Sequence, residues 1–250
     1  MQLRNQLFKF LLTFPKLVLF CMRMNQNRNP DKYFFVKWIK QGDLIVDAGA
    51  NIGLYSSLFS NIVKTSGFVH SFEPIKNTFQ SLRNHINADS RYKNYQLNNL
   101  GLGDKIERKV MYIPDEISGH ASLKRHDIAW KAKETTQHQV QVTTLDSYCE
   151  RHKLKKLNFL KIDIEGAEYF ALNGGINTIT KFKPILHMEV NSQLMLNFNK
   201  TPIELVTLLE SMGYFRIYYY DDKPWDLVSF KSLIKKMRND DFCTTLIAFS

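Results

Sequence analysis

Residues 44–53 read LIVDAGANIG, an apolar run that stops at Asp47 and is followed by Gly49, Asn51 and Gly53. A short run without polar alternation is the mark of a strand buried on both faces, as in a parallel sheet covered by helices. The next residues, IGLYSSLFSNIV, put Ile52, Tyr55, Leu58, Phe59 and Ile62 at helical spacing. A strand that turns sharply into an amphipathic helix is one unit of a parallel sheet, because parallel neighbours need a crossover between them.

The unit recurs. FVHSFEP reads as a second strand ending at Glu73, with Pro74 as the stop, and IKNTFQSLRNHINAD as a helix with Phe79, Leu82 and Ile86 on one face. YQLNNLGLGD reads as a third strand running into a turn at Gly103 and Asp104. The texture then changes over about residues 105–142. ERKVMYIP and HQVQVTTL alternate as antiparallel strands do, and the polar stretch DEISGHASLKRHDIAWKAKETT lies between them, which predicts an inserted strand pair with a mobile loop.

Regular alternation resumes with LNFLKIDIEG (strand), AEYFALNGG (helix, closed by Gly174 and Gly175) and PILHMEV (strand). In TPIELVTLLESMG, Thr201 is the expected N-cap, Pro202 the first helical residue, Glu204 the partner in a capping box and Gly213 the stop. YFRIYYYD and FCTTLIAFS supply a closing antiparallel pair. The expected fold class is α/β: a doubly wound, Rossmann-like sheet, mostly parallel, with an antiparallel closing pair and an inserted antiparallel strand pair and loop. It spans residues 31–250, behind a basic, apolar N-terminal segment at 1–30.

That segment opens MQLRNQLFKFLLTFPKLVLFCMRM, where Lys9, Pro15 and Lys16 interrupt any apolar run of the ~20 residues a membrane span needs. It also lacks a small-residue cleavage site. Two readings stay open: an amphipathic helix packed on the domain, which is the plainer, or peripheral contact of residues 1–24 with a membrane surface. Cys21, Cys149 and Cys243 are isolated and odd in number, with neither disulfide nor metal spacing, so reduced thiols and a cytoplasmic location are expected. The 34 Lys and Arg against 24 Asp and Glu give a net charge of +10, which favours anionic partners. The bases are scattered, and Lys153, Lys155 and Lys156 read as solvated surface. A small-molecule or glycan partner is therefore expected, and nucleic acid is not. The oligomeric state stays open.

Sheets of this kind bind ligands at the carboxyl ends of their strands, where strand order reverses. The strand ends here carry Asp47 to Gly53, Glu73, Asp104, Asp163 to Glu165, and Glu189. One such residue is often a turn former; five in register suggest a site. The spacing G-A-N-I-G departs from G-x-G-x-x-G and so weakens a nicotinamide or flavin reading. Glu73 could accept the hydroxyls of a ribose. Asp104 could accept from an adenine amino group, or simply open a turn. In LKIDIEGAEYFAL, Lys161, Asp163 and Glu165 alternate and share a face while the chain stays extended. Three charges there are costly unless paired or used. Lys161 and Asp163 can neutralise each other, and Glu168 can answer to the helix dipole. His187 and Glu189 form a second alternating pair. Strand-end carboxylates with an imidazole are suitable parts for orienting and deprotonating a hydroxyl.

Together DAGANIGLYS, SFEP, LGD, TLDSY, FLKIDIEGAEYFALNGG and PILHMEV resemble an FkbM-type methyltransferase, within the class I S-adenosylmethionine-dependent enzymes. The resemblance covers roughly residues 42–190, and KIDIEGAE is its most specific element. It implies S-adenosylmethionine as cofactor, held by Asp47, Gly49, Ala50, Asn51, Gly53 and Tyr55, with its ribose on Glu73 and its adenine near Asp104. It implies O-methylation of a sugar, glycan or natural-product hydroxyl, by direct transfer in which the protein supplies position and a proton acceptor. Asp163 is the first candidate for that acceptor; His187 and Glu189 are candidates for holding substrate and Glu165 a weaker one, and the four make up the expected catalytic set. His120 and Ser122, in SGHAS, and Lys161 are candidate substrate contacts. Asp163, Glu165 and Glu189 could also hold a metal, but nothing in the spacing demands one and none is expected. Two rivals stay open: a non-catalytic S-adenosylmethionine-binding protein, and a nucleic-acid or other N-methyltransferase. Base-amine methyltransferases commonly carry [DN]-P-P-[YF] after the fourth strand, where this chain has D-I-E-G.

Overall fold

The computed structural model describes residues 18, 19, 22, 29–88, 94–114, 121–124, 134–220, 227–230, 232 and 242–250. Helix α1 (Pro30–Trp38) starts on Asn29, whose side chain accepts from the Lys32 N–H. There follow β1 (Leu44–Ala48), α2 (Leu54–Val63), β2 (Phe68–Phe72), α3 (Lys76–Asn87), β3 (Tyr95–Asn98), β4 (Gly101–Leu102), β5 (Glu107–Pro114) and β6 (Thr135–Thr143). Next come α4 (Leu145–Arg151), β7 (Phe159–Ile162), α5 (Glu168–Asn173), α6 (Ile176–Phe182), β8 (Ile185–Asn191) and α7 (Ser192–Asn197). The described chain closes with α8 (Pro202–Ser211), β9 (Arg216–Tyr220), β10 (Leu227–Ser229) and β11 (Cys243–Phe249).

Eight strands form the main sheet in the order β10-β9-β11-β8-β7-β1-β2-β3. Strands β3, β2, β1, β7 and β8 pair in parallel, and β11 is antiparallel to both β8 and β9. The doubly wound sheet with an antiparallel close is thus as the pattern predicts, and strand order reverses between β1 and β7. Alternate residues explain the unbroken apolar runs. Val46, Leu160 and Leu186 point into one core, while Ile45, Phe159 and Ile247 point into the other, against Phe34, Phe35 and Phe59. Phe35 alone packs its ring against Tyr55, Phe59, Phe159 and His187; burying such a side chain is worth about 1.5–3 kcal/mol.

The single third strand expected from YQLNNLGLGD is two. Asn99 donates from Nδ2 to the carbonyls of Glu73 and Pro74 at 2.9 Å each, and the chain leaves the main sheet after β3. Strand β4 then opens a separate sheet of order β4-β6-β5. The inserted pair β5–β6 is antiparallel from Glu107↔Val142 to Pro114↔Thr135. Its apolar face, Met111, Ile113, Val140 and Val142, packs with Ala121 on Ile75. Most of the loop between these strands, where mobility is expected, lies outside the described residues.

Thr201 and Glu204 form the expected capping box at α8, with Gly213 left-handed (φ +83) just past its end. Helices α4, α6 and α7 are only six or seven residues long, too short to show a period in sequence. Of the N-terminal segment, Val18 is buried in the core around Phe34 and Phe35, and Leu19 and Met22 pack on that core. The choice between a packed and a membrane-bound segment otherwise falls outside the described residues. Among the described residues no helix is long and apolar enough to cross a membrane.

Candidate functional site

The parallel strands end along one rim, and beside the order reversal the rim holds a cleft of about 260 Å³. Residues 49–53 form its floor as a turn in which Gly49 (φ +77), Asn51 (φ +48) and Gly53 (φ +89) are all left-handed. A Cβ at Gly49 would stand 1.8 Å from the Asp163 carbonyl oxygen, and one at Gly53 2.6 Å from Leu82 Cδ1. The glycines therefore answer to the closeness of the β7 loop and of α3. The N–H groups of Gly49 and Ala50 donate to the Phe72 carbonyl, and that of Gly53 to the Ala50 carbonyl. Asn51 N–H donates to Glu73 Oε2 at 3.1 Å. Most of the turn's donors are thus engaged within the fold, and the cleft meets the surface of Gly49, Ala50, Asn51 and Ile52.

Glu73 stands at the end of β2 and lines the cleft. Its Oε1 accepts the Ile75 N–H at 2.9 Å, so the carboxylate ties two turns together. Burial pushes its pKa up to about 7, although the two N–H groups oppose the shift.

Beneath the cleft a row of polar side chains crosses four strands. Ser71, Asp47, Lys161 and His187 are successive registered partners on β2, β1, β7 and β8, so they share one face. All are 4% exposed or less. Ser71 Oγ donates to Ser56 Oγ (2.9 Å), which donates to Asp47 Oδ2 (2.6 Å). Lys161 Nζ lies 3.6 Å from Asp47 Oδ1 and 3.1 Å from Asp163 Oδ2, and 5.5 Å from the centre of the Tyr55 ring. Burial works against this ammonium, yet Asp163 and Asp47 hold its pKa above the usual lysine value.

His187 donates from Nε2 to Asp31 Oδ1 at 3.1 Å. Asp31 comes from the first turn of α1 and also accepts from Tyr55 OH and Thr245 Oγ1, each at 3.4 Å. Burial disfavours the Asp31 carboxylate, but the bond to His187 and the charges around it leave its pKa below the ordinary value.

Strand β7 ends at Ile162, one residue short of Asp163, so the extended alternation read from KIDIE stops before Glu165. Glu165 returns to the same place through a left-handed residue (φ +56). Single carboxylate oxygens of Asp163, Glu165 and Glu189 lie within 4.8 Å of one another. That spacing would suit a cation, and the Lys161 ammonium already stands against Asp163. Burial, then Glu189 and Asp163, push Glu165 up to about 9. Burial, then Asp163, push Glu189 up to about 7. Glu168 is buried and folds its Oε1 back onto the Ile164 and Gly166 N–H groups (3.0 and 3.2 Å), bracing this turn. Burial raises it to about 8.

The cleft therefore brings together Gly49, Ala50, Asn51, Tyr55, Glu73, Lys161, Asp163 and Glu165. Glu189 joins them through the carboxylate cluster, while Asp47 and His187 lie in the row beneath. Gly53 faces α3. Ser122 is buried and donates from Oγ to the Glu165 carbonyl at 3.0 Å, which links the small sheet to the site. Asp104 lies off the cleft, its Cα 3.0 Å from where a Cβ on Gly174 would stand, because β3 ends at Asn98 and the chain has already left the main sheet. His120 lies outside the described residues. Two groups escaped the sequence reading. One is the apolar wall of Ile75, Leu100, Leu102, Met111, Val140 and Val142, whose signal was the alternation of ERKVMYIP. The other is Asp31, whose only sequence signal was its place after Asn29 and Pro30 at a helix start.

Residues 47–215 match the family described as the methyltransferase FkbM domain. "Methyltransferase 1" from Beauveria bassiana (strain ARSEF 2860) is 28% identical over 158 residues, covering 58% of this chain and 63% of that protein. The crystal structure of methyltransferase FkbM from Methylobacillus flagellatus KT superposes with a TM-score of 0.51 at 18% identity, over 88% of this chain and 50% of that one. The second likeness speaks for the fold. The chain spans less than two thirds of the length of either relative.

Proposed function

Because the chain belongs to the FkbM methyltransferase domain family, we propose that it moves a methyl group from S-adenosylmethionine to a hydroxyl of a sugar, glycan or natural-product acceptor. The observation that carries this reading is the convergence of the residue 49–52 turn, Glu73 and the Lys161–Asp163–Glu165 stretch on one cleft at the order reversal. The residues present fit the cofactor. Glu73 lines the cleft with a carboxyl group that can accept from the hydroxyls of a ribose. The wall of Ile75, Leu100, Leu102, Met111 and Val142 offers a flat base an apolar slot. Among the described residues the Asp47 and Asp163 carboxylates outnumber the Lys161 ammonium they share, which suits a cationic ligand.

When bound, S-adenosylmethionine supplies a methyl group already activated on a sulfonium. The chain's own residues then have little bond chemistry to do. Lys161 holds Asp163 through Oδ2, and Asp163 keeps a second oxygen with which to take the acceptor's hydroxyl proton. Glu189, with a pKa near 7, is a group to which that proton can pass within the cluster. The Asp47 and Asp163 carboxylates, with Lys161 between them, leave the base of the cleft negative, which disfavours a phosphodiester chain and supports a small or glycan acceptor over nucleic acid.

Titration calorimetry with S-adenosylmethionine tests the reading. Binding is expected for the parent, at least hundredfold weaker binding for Glu73→Ala, and unchanged binding with lost turnover for Asp163→Asn. Parent-like affinity in Glu73→Ala removes the ribose assignment, and full turnover in Asp163→Asn removes the base.

A further inference from the structure

Beside the cleft lies a second cavity of about 440 Å³, and the two share Leu102, Leu123 and Ala167. Its remaining lining has a different chemistry. Lys109 and Lys124 bring ammonium groups, Tyr112 a phenol, and Phe170 and Phe198 two rings whose centres are 5.9 Å apart at an angle of 52°. None of the described lining residues is an acid. The cleft shows the reverse, with Glu73, Asp163 and Glu165 against one buried lysine. Lys109 does pair with Glu107 at 3.0 Å, but both side chains are about a third exposed (34% and 37%), and such a surface pair yields readily to a better-placed anion.

Resting on the methyl-transfer reading above, we propose that this cavity anchors the acceptor, and that the acceptor is an anionic saccharide. The sugar ring lies against Phe170 and Phe198, where the C–H face of a pyranose meets an aromatic surface. Its carboxylate or phosphate meets Lys109 and Lys124, where an ionised partner makes the stronger class of hydrogen bond. Ala167 closes the short link from this cavity to the turn bearing Asp163 and Glu165, so a ring anchored here reaches toward the transfer centre with a hydroxyl. One anionic group held at the cationic end stays clear of the cleft's acids, whereas a polyanion threaded past them would not.

The test measures calorimetric binding of glucuronate, glucose 6-phosphate and glucose to the full chain saturated with S-adenosylhomocysteine. At least one anionic sugar is expected to bind tenfold or more tightly than glucose; whichever arm wins identifies a carboxylate or a phosphate acceptor. The double variant Lys109→Gln/Lys124→Gln is expected to erase that preference while leaving S-adenosylhomocysteine affinity unchanged. Phe170→Leu is expected to weaken both the charged and the neutral sugar. Equal binding of glucose and the anionic sugars, no binding by either anionic sugar, or a preference that survives the double variant overturns the inference. Failure of the parent to bind S-adenosylhomocysteine instead overturns the methyltransferase reading on which it rests. Both lysines are partly or wholly exposed, so the double variant is expected to unfold at the parent's midpoint.

Discussion

Replacing Lys161 with methionine keeps a stem of similar length and removes the buried cation from the polar row. Asp47 would retain Ser56 on Oδ2. Among the described residues its Oδ1 has no hydrogen-bond donor, and it faces the Lys161 ammonium at 3.6 Å, so it would lose that charge inside a site with no solvent access. Removing one partner of a buried pair leaves an uncompensated charge and costs about 3–5 kcal/mol. The contact to Asp163 adds little, since that carboxylate is 36% exposed and water replaces the lysine there. For a chain of this size the loss corresponds to a fall in Tm of roughly 6–20 °C. The double variant Asp47→Asn/Lys161→Met removes both charges and is expected to be more stable than the sum of the single losses, by about 1–3 kcal/mol. Urea unfolding of the parent, both single variants and the double variant measures this cycle. A Lys161→Met loss below about 1 kcal/mol, or strict additivity of the two substitutions, would refute the claim that Asp47 depends on this ammonium.

Glu73 and Glu189 (about 7), Glu168 (about 8) and Glu165 (about 9) are all raised above the ordinary glutamate value of 4.5, so the folded chain binds more protons than the unfolded one between those limits. Stability from these groups is therefore full below about pH 4.5 and is lost as pH climbs toward 9; melting of the ligand-free protein should be lower at pH 9 than at pH 6, and Glu165→Gln should flatten that slope. Gly49→Ala forces a left-handed alanine, worth about 1–2 kcal/mol, and drives its Cβ into the Asp163 carbonyl. It should cost more than about 3 kcal/mol in urea unfolding and abolish donor binding in calorimetry; parent-like behaviour in both would show that the β7 loop yields. Asp31→Ala removes the acceptor shared by His187, Tyr55 and Thr245 and should cost about 1–3 kcal/mol. Asp31→Asn should recover part of the loss, with donor affinity following stability in both variants.

The succession of strands and helices along the chain was legible because each βα unit carries its own punctuation: LIVDAGA before an amphipathic helix, FVHSFEP before Pro74, TPIE at a capping box. The inserted pair was legible because its strands alternate. The split of the third strand was not, since what turns the chain is the Asn99 side chain reaching back to Glu73 and Pro74, a contact with no local signature. For the same reason Asp104 read as a strand-end acid although it follows a strand of the other sheet. KIDIE looked like a continuous alternation, but Glu165 reaches the acid cluster by turning back after Ile162. Asp31 could not be placed at all without the fold, because 156 residues separate it from His187.

The Ser71–Asp47–Lys161–His187 row also says something about assembly. Sliding β7 by two residues along β1 leaves every side chain on its proper side, so oily contacts alone would scarcely object. The slide would set Asp47 beside either Phe159 or Asp163 in place of Lys161, exchanging a neutralised carboxylate for a bare or doubled one. The central strands thus have a built-in checksum: of the alignments that grease alone would accept, charge admits one.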